Sequence, residues 1–167
     1  MTLNEASFKT NSGSGSLEKT DFVFSLTGGT ATLSSTTPSS ISADGNVYTL
    51  GLTISGTPSG SELLKVSPAE NAIYDAKGNA ASTTQSNNTA NLKDKTAPIV
   101  SSVTTASDNK TIVVTFSEAV FSTNGGSGAI ESADFALSIT GGAATLSSAT
   151  PTSISISGNV YTLGIGL

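Results

Sequence analysis

The side chains able to do chemistry in this 167-residue chain are nearly all oxygen donors. It carries 12 Asp and Glu against 7 basic residues, every one of them Lys, and it has no His and no Cys. Cys/His zinc sites, Ser-His-Asp triads, thiol nucleophiles, haem of the usual ligation and disulfides are therefore excluded. Without Arg, the bidentate guanidinium fork used on phosphate and guanine is missing as well. What remains is binding of a hard cation, since Ca²⁺ takes about six to eight carboxylate, carbonyl and water oxygens in a flexible shell. Four acids stand where loop backbone could join them: Glu118 and Glu5, each in a Glu-Ala-x-Phe segment, Asp75 in YDAKGN, and Asp94 in KDKTAP. If such carboxylates converged at one end of a domain they would repel one another unless a cation sat among them. The same residues also have ordinary readings: Glu118 as a solvated strand end, Asp75 in an Asx-turn to Lys77 or Gly78, Asp94 as a linker charge between Lys93 and Lys95. The DAKGN spacing lacks the repeated acids of an EF-hand loop.

Other polar features read more simply. Asp21 and Asp134 each precede a Phe and follow a Glu by three residues (Glu18, Glu131), which suits bonding to local backbone N–H groups. The stretches SGSGS and GGSGA are loops, because no Lys-Ser/Thr pair follows to make a phosphate cradle. Tyr48 and Tyr161 alternate in phase with Leu residues and are expected in a core; with Tyr74 they could otherwise offer a sugar-stacking platform. With 5% aromatic residues and no Trp, a glycosidase cleft would have little to stack against, and no catalysis is expected. A net charge of −5 opposes contact with nucleic acid and anionic lipid. Met1–Lys9 shows no signal-peptide pattern and no run approaches the roughly 18 apolar residues that cross a bilayer, so membrane insertion is not expected.

These residues must be positioned by a chain that repeats itself. Glu5–Ile54 aligns without gaps on Glu118–Leu167, with about 32 of 50 positions identical and an offset of 113 residues, as between Asp21 and Asp134. A period of this length suits a whole β-sandwich of roughly 100 residues better than a solenoid coil. Both copies read as cut: the first lacks what Thr96–Phe116 contributes, and the second lacks the equivalents of Thr53–Lys95. The expected division is residues 1–95, a repeat without its first strands, and residues 96–167, the N-terminal part of the next. Thr96–Phe116 could instead complete the first copy, within the chain or from a neighbour.

Alternation of apolar and polar residues places strands at KTIVVTF, DFVFSLT and its counterpart DFALSIT, VYTLGLTI, and ELLKVSP, with shorter ones at PIVSSV and TANL. Asp44-Gly45-Asn46 and Ser157-Gly158-Asn159 read as hairpin turns. Only Ala69–Tyr74 offers a helical turn. The expectation is an all-β chain with antiparallel sheets, about seven to nine strands per repeat, packed as a two-sheet sandwich.

The run TIVVTFSEAVF, the acid-Phe strand, the stretch GNVYTLGLTISGTPSGSELLKVSPAENAIYDAKGNAAS and the junction LKDKTAPIV together resemble bacterial Ig-like (Big-type) tandem repeats of large secreted or cell-surface adhesin-like proteins. The resemblance spans essentially the whole chain. It implies an Ig-like β-sandwich arrayed head to tail with neighbouring Ig-like repeats, an extracellular or cell-surface location, a role as spacer or stalk, and in some members Ca²⁺ near domain junctions. The cut copies suggest a second role, a homo-oligomer or filament subunit joined by strand exchange. The Thr-rich run TATLSSTTPSS invites a third, a glycan- or ice-binding repeat.

Overall fold

Phe22, Phe24 and Leu26 share one face of β1 (Phe22–Thr27), the first of eleven strands. The structure, a computed structural model, describes Met1 to Leu167 throughout, and the chain divides into unit 1, Met1–Thr96, and unit 2, Ala97–Leu167. Every strand pairing is antiparallel.

In unit 1, β1 is followed by β2 (Thr32–Leu33), β3 (Ile41–Asp44), β4 (Val47–Leu50), β5 (Ile54–Ser55), β6 (Leu63–Pro68) and β7 (Thr89–Asn91). They form an open sheet in the order β1-β6-β7 and two pairs, β2-β5 and β3-β4. The β3-β4 hairpin closes through Gly45, whose φ of +57° is one an L side chain resists. The core joins β1 to β4: Phe22 and Tyr48 lie 5.7 Å apart by ring centroid, and Leu17 and Ile73 complete the buried cluster. Val66 of β6 and Leu50 of β4 pack on its margin.

Unit 2 holds β8 (Val100–Thr105), β9 (Thr111–Phe116), β10 (Ile154–Ser157) and β11 (Val160–Gly164), ordered β10-β11-β9-β8. Val114, Tyr161 and Leu163 are buried, with Phe116 and Phe135 against Tyr161 at 5.5 and 5.7 Å. Edge strand β8 is exposed along its length and carries a register shift between Val100 and Ser102, where the Ser101 hydroxyl donates to the Thr115 carbonyl.

Several sequence expectations need correction. Thr111–Phe116 pairs with Val160–Gly164, so within the chain this segment joins the second copy rather than completing the first. In unit 1 its place beside β4 is taken by Met1–Leu3, bridged as Thr2↔Val47 just as Thr115 pairs with Val160. VYTLGLTI is not one strand: β4 ends at Leu50, and Ile54 pairs with β2 in a different sheet. Gly51 exchanges backbone hydrogen bonds with Ser39 and Ser40 at 3.0 and 2.9 Å, as its equivalent Gly164 does with Thr152 and Ser153, but Gly164 stays within β11 through its pairing with Thr111 and Gly51 has no such partner. A Cβ there would overlap the hydroxyls of both serines and lie 2.9 Å from the Ser40 nitrogen. Gly51→Ala is therefore expected to destabilise unit 1 by about 1–3 kcal/mol, read from the urea midpoint of unit 1 amides; an unchanged midpoint would show that the serine loop yields freely. Ala69–Tyr74 is a turn with Asn71 at φ +53°, not a helical turn. The helical turns lie elsewhere, as 3₁₀ segments at Lys19–Asp21 and Ser132–Asp134.

The largest departure concerns DFALSIT. Its twin forms β1, yet Phe135–Thr140 joins no ladder. The apolar-polar pattern is the same, although Val23, Phe24 and Leu26 are replaced by Ala136, Leu137 and Ile139, and the partner differs. β1 lies against β6 from Phe22↔Pro68 to Thr27↔Leu63, and unit 2 has no strand in that place. An alternating pattern states which face is apolar, but the ladder needs a second backbone.

Candidate functional site: acid-bearing loops and a buried glutamate

The Asp75 loop is braced by its own side chain. Oδ1 accepts the backbone N–H groups of Lys77 and Asn79, both at 2.8 Å, and Oδ2 accepts the Asn79 side-chain amide at 2.7 Å. These donors, the Asn79 side chain foremost, hold the carboxyl below its usual range, against a smaller opposing effect of burial. Gly78 at φ +86° closes the turn. Asp94 accepts the Thr96 N–H at 2.8 Å, while the neighbouring Lys95 N–H and the Thr96 hydroxyl both donate to the Pro58 carbonyl. Glu5 is exposed in unit 1, its carbonyl accepting the Ser7 hydroxyl at 3.2 Å. Glu118 is half-buried just after β9 in unit 2. The structure brings no three acidic side chains together as a metal-holding group.

The paired acids before each Phe cap the 3₁₀ turns. Asp21 Oδ2 accepts the Glu18 N–H at 2.7 Å, and Asp134 Oδ2 accepts the Glu131 N–H at 2.8 Å. Asp21 is buried and Asp134 exposed, and in unit 1 the Ala69 N–H donates to the Asp21 carbonyl at 2.8 Å. The serine-rich loops are tight turns: Thr10 bridges Ser14 and Thr123 bridges Ser127, each threonine hydroxyl donating to the opposite serine carbonyl. Tyr48 and Tyr161 are core residues, and the Tyr74 hydroxyl donates to the Asn71 carbonyl at 2.8 Å. The Thr-rich stretch around Thr32 contributes only the two-residue β2.

The most distinctive polar group was not among the sequence candidates. Glu62 is fully buried at the start of β6. Its Oε1 accepts the N–H of Thr30 at 2.9 Å, of Ala31 at 3.1 Å and of Ser59 at 3.1 Å, and the Ser59 hydroxyl at 3.1 Å; Oε2 accepts the Ser59 N–H at 2.9 Å. Burial alone would push this carboxyl up. The converging amides of Ala31, Ser59 and Thr30 outweigh it and hold the group at about 2. Gly29 admits the carboxylate, for a Cβ there would overlap Oε1, and Gly28 admits the neighbouring Ser61 carbonyl. A signal was present in the sequence: Glu62 alternates in phase with Leu64 and Val66, which face inward, so a charge stood on the apolar side of a strand. Every donor to the carboxylate comes from the protein itself, so the group staples the β1-β2 turn to the start of β6.

Compared with protein-family models, with curated proteins and with solved structures, the chain matches none.

Proposed function

We propose that this chain is a length of tandem Ig-like β-sandwich repeats, a structural spacer of a bacterial extracellular or cell-surface protein of the adhesin-like kind, without catalysis of its own. The observation that carries the reading is the matched register of the two copies. Asp44↔Val47 to Ile41↔Leu50 in unit 1 is reproduced as Ser157↔Val160 to Ile154↔Leu163 in unit 2, at the same 113-residue offset that aligns the sequences. In unit 1 the 5.7 Å approach of Phe22 on β1 to Tyr48 on β4, strands of two different sheets, supports the sandwich reading. Acids that brace loops, a charge that staples backbone, and tyrosines that fill cores suit a module whose task is to hold its shape.

Pulling the full chain from both ends in a single-molecule force experiment tests the proposal. A load-bearing spacer gives a discrete unfolding step for unit 1, releasing about 30 nm of chain. Smooth extension with no step would overturn it.

A further inference from the structure

The glycine-rich turn of each copy carries an asparagine, and the two copies differ in the residue that follows it. Asn11 precedes Ser12, whereas Asn124 precedes Gly125 and is the one asparagine of the chain with glycine after it. Otherwise the turns are built alike. The Thr10 N–H donates to the Ser14 carbonyl and the Thr123 N–H to the Ser127 carbonyl, both at 3.1 Å, and both asparagines are exposed. Exposure belongs to the turn itself, since Asn11 keeps it although a Cβ on Gly78 of the neighbouring loop would fall 2.5 Å from its carbonyl oxygen. Several other asparagine amides are held in place: those of Asn79, Asn88, Asn91 and Asn159 donate to Asp75, Val66, Gly60 and Phe116. The Asn124 amide is open to solvent. Ser12 is fastened through its hydroxyl to those of Thr10 and Ser14, at 2.9 and 3.1 Å. Gly125 has no side chain to fasten, its N–H makes no backbone hydrogen bond, and it stands at φ +119°, a value that an L side chain resists.

We propose that Asn124 is a site of spontaneous covalent modification, in which the Gly125 backbone nitrogen attacks the Asn124 side-chain carbonyl carbon. A new N–Cγ bond forms and the Cγ–Nδ2 bond breaks. The amide nitrogen leaves as ammonia, carrying the proton that the Gly125 nitrogen gives up. The cyclic imide left behind takes up one water at either of its carbonyls and opens to aspartate or to isoaspartate. Water is the only co-reactant. Each conversion replaces a neutral amide by a carboxylate and so adds one negative charge to a chain that carries −5. Opening to isoaspartate also routes the main chain through the former side chain, which lengthens the path inside the turn that the Thr123↔Ser127 bridge closes. At Asn11 the Ser12 side chain crowds the same attack, and its hydroxyl bonds hold the residue that bears the attacking nitrogen. The second copy therefore collects the change as the chain ages while the first is spared.

Ageing the full chain in warm, neutral buffer for several weeks and cutting it after glutamate tests the site, because the cut releases Ala119–Glu131 and its counterpart Ala6–Glu18, each with a single asparagine. Mass spectrometry reads the exchange of NH₂ for OH in each peptide, and chromatography separates aspartate from isoaspartate. The expected result is conversion in Ala119–Glu131 at least tenfold faster than in Ala6–Glu18, with both products present and a rate that rises with pH. Gly125→Ser is expected to slow Asn124 to the rate of Asn11, and Ser12→Gly to raise Asn11 toward the rate of Asn124. Equal rates in the two peptides of the unaltered chain, a rate at Asn124 indifferent to Gly125→Ser, or no conversion over the whole period would overturn the proposal. Aspartate formed without any isoaspartate would overturn it too, since direct hydrolysis of the side chain would then replace attack by the Gly125 nitrogen.

Discussion

Phe22→Ala is expected to destabilise unit 1 by about 3–5 kcal/mol, and Phe135→Ala to destabilise unit 2 by about half as much. The two phenylalanines hold equivalent positions in the aligned copies, but Phe22 is fully buried and Phe135 only partly so. Phe22 is enclosed by Tyr48, Leu17 and Ile73 beneath a sheet that includes β6. Removing its ring leaves a cavity that the surrounding strands can close only by shifting the ladder. Phe135 packs on Phe116 and Tyr161 from an unpaired segment free to settle into the gap. Residue-resolved hydrogen exchange on the full chain reads both units at once. Equal losses at the two sites would mean that strand pairing does not govern how much this ring contributes, and that the missing β6 partner costs Phe135–Thr140 nothing.

The second large effect is at Glu62. In the folded chain its carboxyl sits at about 2, below the ordinary value of 4.5 that it regains on unfolding. Between those values the unfolded chain binds more protons than the folded one, so the stability of unit 1 rises with pH across this interval. The contribution is complete above about 4.5 and is lost progressively as the pH falls toward about 2. Asp75, lowered in the same direction, adds to the slope. Glu62→Gln turns an acceptor-only group into one that aims an NH₂ at the N–H groups of Thr30, Ala31 and Ser59. Unit 1 of the variant should be less stable at neutral pH and nearly flat across the acid interval except for the Asp75 share. Urea midpoints of unit 1 amides against pH provide the measurement, with unit 2, which contains neither residue, as internal reference. A variant that retains the full acid slope would show that the slope originates elsewhere.

Much of the strand content is legible because alternation reports directly which face is apolar. Ile112, Val114 and Phe116 point to one cluster, as their spacing requires, and on β6 Leu64 and Val66 are half-buried between the exposed Leu63 and Lys65. The hairpins are legible because Gly45 and Gly158 occupy backbone positions that few residues tolerate. Other features depend on partners far along the chain. DFALSIT keeps the alternation of DFVFSLT, with Ala136 and Leu137 in place of Val23 and Phe24, and Leu63–Pro68 lies beside one segment and not the other. Gly51 reads as a mild interruption of a strand until Ser39 and Ser40 are seen against it. The role of Met1–Leu3 is hidden because three residues are too short to show a period, although Thr2 carries the same offset to Thr115 as the rest of the repeat. Glu62 illustrates the reverse case, a local signal legible in principle but masked by the expectation that acids mark loops.

The register shift at Ser101 has a bearing on how such chains coexist at high density. An exposed, flat outer strand is an invitation to sideways polymerisation, and β8 presents Val100 and Val103 openly. The extra residue there twists the strand out of plane, and its hydroxyl is tied back to Thr115, so a foreign chain approaching from the side meets an interrupted row of donors and acceptors. Molecules crowded together would thus be kept from fusing into fibrils by a single offset residue, with no repulsive charge required.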